Sequence, residues 1–163
     1  MTRIPLLLLV FIFACGSALA DPPAGYPFVS YDEGMRQAKE QNKPVFLYFG
    51  RLGCAWCDIV NKQAFVDPTL KELYTKHYVL IYVDSESGDR LRLPTGERIT
   101  EAELGVHYQV FGSPVFVFIE PTGKKIASAP GIQTIQNFLD YDRFVMEGHY
   151  HKQSLIEYLK GKP

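Results

Sequence analysis

The chain has 163 residues, 47% of them hydrophobic and 13% aromatic, which suits one domain with a substantial core and excludes a disordered or fibrous protein. Its formal net charge is −1 with acidic and basic residues intermixed, so the composition points away from nucleic acid and anionic membrane as partners. Function is expected from a local site.

Residues 1–20 read as an export signal: Arg3 supplies a positive start, Ile4 to Ala14 an apolar run, and Ala18-Leu19-Ala20 a small-residue cleavage pattern before Asp21. The stretch Ile4 to Leu19 is 16 residues long, short of the ~20 that span a bilayer, which argues against a membrane anchor. A second reading stays open, because Ile12-Phe13-Ala14-Cys15 resembles a bacterial lipoprotein signal in which Cys15 would be lipidated; bulky Phe13 counts against it. Either way the domain, residues 21–163, is expected in the periplasm or outside the cell. Removal of residues 1–20 leaves Cys54 and Cys57 as the cysteines. A pair this close encloses too short a loop to staple a fold.

Residues 21–29 are rich in proline, glycine and aromatics without periodicity and predict an extended lead-in. Ser30 and Glu33 have capping-box spacing, and Tyr31, Met35 and Ala38 share one face of a helix reaching about Gln41. Val45 to Phe49 is a continuous apolar run and predicts a strand buried on both faces. A turn through Gly50 to Gly53 follows, and Cys54 opens a helix with Ile59, Val60 and Phe65 among its apolar positions. Asp67-Pro68 starts another helix, with Leu70, Leu73, Tyr74 and His77 along one side. Tyr78 to Val83 predicts a second buried strand.

The polar stretch 85–99 reads as an insertion, with a surface hairpin over Leu91 to Ile99 around the turn Pro94-Thr95-Gly96. Thr100 and Glu103 form a second capping-box pattern opening a helix to about Gln109. Val115 to Ile119 predicts a third strand, turned by Pro121 to Lys124 into an antiparallel partner over Lys125 to Ala129. Helices are expected at about Thr134 to Glu147 and Lys152 to Lys160, the last with Leu155, Tyr158 and Leu159 on one face. The alternation of helices and strands predicts an α/β fold, a central mixed sheet flanked by helices.

A Cys-x-x-Cys pair at the point where a buried strand gives way to a helix suits thiol–disulfide exchange, whose attacking species is a thiolate. Unpaired N–H groups and the positive end of the helix dipole favour that charge at Cys54, and Cys57 lies one turn further in, placed to resolve a mixed disulfide. The catalytic candidates are therefore Cys54 as nucleophile and Cys57 as resolving thiol.

These residues, with Gly112-Ser113-Pro114 ahead of a strand, resemble the thioredoxin superfamily over nearly all of residues 21–163. The polar insertion, the segment Glu101 to Phe118 and the ending Tyr141 to Tyr158 are similar to exported thioredoxin-related proteins, including those of bacterial sulfur-oxidation systems. The resemblance implies the thioredoxin fold and a Cys54–Cys57 redox disulfide. It makes Pro114 a cis-proline and Ser113-Pro114 a substrate-docking edge. Trp56, between the cysteines, has two readings: an aromatic contact residue that shapes partner choice, or a partly exposed cover on the disulfide. The resemblance implies no cofactor or metal, protein thiols and disulfides as partners, and a membrane-embedded thiol carrier as electron source. A reductase needs such a source, since an oxidising compartment would otherwise leave the pair disulfide-bonded.

The sequence departs from thioredoxin itself at three places. Tyr48 stands where a buried aspartate serves the second cysteine, Ala55-Trp56 replaces Gly-Pro, and Asp58 follows where lysine is common. These changes bear on redox potential and direction, so a periplasmic disulfide donor or isomerase remains an alternative to a reductase, and a non-catalytic binding module a third. His149 and His151 could offer metal nitrogens, but a zinc site wants four ligands and no second cysteine pair exists. Surface or capping roles are expected for His77 and His107.

Overall fold

A computed structural model of the chain describes residues 22–162. The signal, Asp21 and Cys15 lie outside the described residues.

In order the elements are α1 (Tyr31–Gln41), β1 (Val45–Gly50), α2 (Ala55–Gln63), α3 (Pro68–His77), β2 (Val79–Asp84), β3 (Arg90–Arg92), β4 (Arg98–Thr100), α4 (Glu101–His107), β5 (Val115–Ile119), β6 (Lys125–Pro130), α5 (Ile135–Met146) and α6 (Leu155–Lys160), with one 3₁₀ turn at His149–His151 before α6. Four strands form a mixed sheet in the order β2-β1-β5-β6, with β1 parallel to β2, and β5 antiparallel to β1 and β6. This is the α/β thioredoxin fold expected from the sequence. The polar insertion carries its hairpin, β3 paired antiparallel with β4, closed by a turn in which Gly96 takes φ 91°.

Successive side chains of a strand point to opposite faces, so each apolar run feeds two cores. From β1, Phe46 and Tyr48 enter a core with Phe116, Phe118, Tyr74 and Phe138, covered by α2, α3 and α5. Val45, Leu47 and Phe49 enter the other, with Ile81, Val117 and the α1 residues Tyr31, Met35 and Ala38. The first face is aromatic: Phe46 stacks on Phe116 at 5.7 Å between ring centres and meets Tyr74 edge-on at 5.0 Å. The insertion lies on the second face, where Leu91 and Leu93 are buried and the Arg92 N–H donates to Asp32 on α1 at 2.7 Å.

Several boundaries differ from expectation for local reasons. Ser30 is the N-cap of α1, but its side chain makes no capping bond; the Glu33 carboxylate instead accepts from Arg36 and Gln37. Phe65 lies beyond α2, buried in the turn after it. Tyr78 caps α3 and does not begin β2. Helix α4 ends at His107, and Gln109 takes a left-handed φ of 62° that the helix cannot continue through. The last helix starts three residues late, at Leu155, because Ser154 and Glu157 close a capping box there. His77, expected in a surface or capping role, is half-buried in the last turn of α3: its Nδ1 meets the buried Asp142 carboxylate at 2.8 Å and ties α3 to α5.

Candidate active site

Strand β1 ends at Gly50, where a Cβ would collide with the Tyr82 hydroxyl, and the chain reverses through Gly53 at φ 68°. Open space surrounds Gly53, so the left-handed backbone, and not crowding, requires glycine there. The turn delivers Cys54 as the N-cap of α2, with its Sγ accepting the Cys57 N–H at 3.1 Å. A side chain with a sulfur at this position satisfies one of the donors that every helix leaves unpaired in its first turn.

Cys54 and Cys57 are joined in a disulfide with 5.2 Å between their Cα atoms. Both are buried, at 7% and 6% exposure, while Trp56 between them is 59% exposed. Opposite them the Ser113–Pro114 peptide is cis, and the Ser113 Oγ donates to Cys54 Sγ at 3.3 Å. The sequence candidates Cys54, Cys57, Trp56, Ser113 and Pro114 thus gather at one end of the sheet. The Pro114 carbonyl accepts from the Gly131 N–H at 2.8 Å, which fixes the loop to the end of β6.

Two groups now donate to Cys54 Sγ: a helix N–H and a hydroxyl. In the reduced protein both would stabilise a thiolate there. Asp58, one residue beyond Cys57, adds a negative charge in the same turn, but it is exposed and lies 3.5 Å from Lys62. In the core that Cys57 joins, burial pushes the Tyr48 phenol far above its ordinary range, so it stays neutral; its hydroxyl donates to Asn61 Oδ1 on α2 at 3.1 Å. Tyr48 therefore combines sheet packing with a strap on the cysteine helix, and it cannot act as a proton acceptor at physiological pH.

Sequence reasoning passed over Phe111, Leu52 and Asn61. Phe111 is 90% exposed two residues before Ser113, and Leu52 is exposed two residues before Cys54. An aromatic with no helical or strand periodicity around it, next to Gly112-Ser113-Pro114, was the signal available. Among the described residues, His, Cys, Asp and Glu form no group of three or more placed to hold a metal ion. His149 instead contacts Glu147 at 2.9 Å.

Comparison with known proteins agrees with this geometry. Residues 31–145 match the family described as a thioredoxin-like domain. Over 105 residues the chain is 30% identical to the disulfide bond reductase DsbH of Chlamydia pneumoniae, a match covering 64% of this chain and 62% of that protein. A thioredoxin from Thermus thermophilus superposes with a TM-score of 0.60 at 25% identity, covering 78% of this chain and 98% of its own. The solved DsbH oxidoreductase superposes with a TM-score of 0.58 at 21% identity, over 89% of this chain and 95% of that one, a likeness of fold. With a family match over most of its length and a Cys-x-x-Cys pair capping α2 against a cis-proline loop, the chain belongs to the thioredoxin-like domain family.

Proposed function

We propose that this protein is an exported thiol–disulfide oxidoreductase that reduces protein disulfides. The observation that carries the reading is the Cys54–Cys57 pair at the start of α2, with Ser113 Oγ on the Cys54 sulfur. In the reduced protein the Cys54 thiolate attacks a substrate disulfide. The substrate S–S bond breaks, a Cys54–substrate disulfide forms, and the first substrate sulfur leaves as a thiolate and takes a proton from solvent. Cys57 loses its proton and attacks Cys54 Sγ; the second substrate thiolate departs, and two electrons have passed to the substrate. A thiol donor, in this reading a membrane-embedded carrier, resets the pair.

Solvent is the proton acceptor for Cys57 in this scheme, since Tyr48, in the same core, is a neutral phenol. The direction is supported by the relative named a disulfide bond reductase. Export rests on Arg3, the apolar run and Ala18 to Ala20, and N-terminal sequencing of the secreted protein separates a start at Asp21 from a lipidated Cys15.

A trapping experiment tests the roles. Cys57→Ser should accumulate a mixed disulfide through Cys54 with oxidised insulin, resolved by thiols, and Cys54→Ser should not. Trapping by Cys54→Ser alone would reverse the assignment. Insulin reduction that survives Cys54→Ala would leave a fold with no catalytic role for this pair. One observation favours a second direction: a hydroxyl donor on the nucleophilic sulfur stabilises the reduced state, the property that makes an exchanger oxidising. A disulfide donor or isomerase would use the same residues, and the redox potential decides between them.

A further inference from the structure

Phe111 is 90% exposed, whereas the other described phenylalanines are buried or half-buried. Its loop is held on both sides: the Val110 N–H donates to the Gly105 carbonyl at 2.8 Å, and the Pro114 carbonyl accepts from Gly131. An aromatic ring is therefore kept in solvent on a fixed support, two residues from the Ser113 that touches the nucleophile. Two clefts flank it, and both reach Ser113. One is lined by Phe111, Pro114, Val115 and Pro130, with the neutral polar side chains of Gln109 and Ser128, and has no charged side chain in its walls. The other carries Arg51 and Glu86.

Any disulfide that reacts must bring a sulfur to Cys54, next to Ser113. The chain flanking its cysteine then passes Phe111, and the uncharged cleft opens at Ser113, whose hydroxyl touches the Cys54 sulfur. Burying a charged side chain there, with no opposite charge in the walls, would cost more than burying an apolar one. Exposed aromatics on a fixed support are also the residues that anchor protein contacts.

We propose that Phe111 is a specificity-determining residue: together with Pro114 and Pro130 it receives an apolar side chain flanking the reactive cysteine of a polypeptide disulfide, selecting apolar over acidic sequence contexts. This rests on the exchange chemistry proposed above and deepens it by naming the substrate class.

The test uses single-turnover oxidation of the pre-reduced protein. The readout is the fluorescence of Trp56, which is the chain's one tryptophan and lies between the cysteines. Three oxidants are compared: two disulfide peptides differing in leucine or aspartate next to the cysteine, and hydroxyethyl disulfide. The wild type should prefer the leucine peptide by about tenfold, Phe111→Ser should reduce that preference to about twofold or less, and the hydroxyethyl disulfide rate should stay within about twofold. Equal wild-type rates with the two peptides, a preference retained in Phe111→Ser, or an equal slowing with all three oxidants would overturn it. If the reduced wild type reacts with none of the three, the exchange reading itself fails and this inference falls with it. Reaction with all three at one rate removes the inference alone.

Discussion

Ser113 places a hydroxyl 3.3 Å from the Cys54 sulfur, and a hydrogen bond to a charged acceptor is worth about 1.5–3 kcal/mol. Ser113→Ala should therefore slow alkylation of reduced Cys54 near pH 6 by about an order of magnitude, with the pH–rate profile displaced upward. An unchanged profile would mean that the hydroxyl does not reach the thiolate. The pair itself was legible from sequence, since Cys-x-x-Cys between a buried apolar run and a helical pattern has few other uses. The hydroxyl on Cys54 was not, because Ser113 is 59 residues away and only strand pairing between β1 and β5 brings them together. Likewise Tyr48 was readable as a packed aromatic, but its bond to Asn61 depends on how α2 lies across the sheet.

Helix caps show how far local sequence carries at the scale of an element. Thr100 with Glu103 forms a complete capping box, as its spacing predicts, whereas Ser30 with Glu33 has the same spacing and does not. Arg36 and Gln37 compete for the Glu33 carboxylate, whereas the Glu103 carboxylate accepts from the Thr100 N–H at 2.7 Å. Thr100→Ala should cost about 1 kcal/mol of unfolding free energy, and Ser30→Ala less than about 0.5 kcal/mol, both from urea melts. A contact invisible to any pattern is that of Gly34 in α1, where a Cβ would overlap the Ile81 side chain. Gly34→Ala should destabilise by about 1–3 kcal/mol, with part of the loss recovered in a double variant carrying Ile81→Val.

On the scale of the whole molecule, the sequence resolves the sheet because the apolar runs at β1 and β5 are buried on both faces, and that at β2 is buried except at Tyr82 and Asp84. Sheet order and the division into an aromatic and an aliphatic core were not readable, since they depend on pairing between distant segments. Helix α4 meets the sheet through Glu101, whose half-buried carboxyl is raised above its ordinary 4.5 by burial, with the Asp84 N–H bond opposing. A carboxyl harder to ionise folded than unfolded stabilises the fold below pH 4.5, and that contribution is lost as pH rises through the raised value. Glu101→Gln should therefore gain stability relative to wild type as pH climbs from about 4 to about 7, read from urea midpoints at each pH. A difference that stays flat with pH would remove this account of Glu101.

The central claim, that Cys54 and Cys57 form a reducing pair, is met most directly by a redox titration of residues 21–163 against dithiothreitol or glutathione buffers, following thiol alkylation. A potential near about −270 mV is the result this account predicts, and one near about −120 mV would contradict it in favour of a disulfide donor.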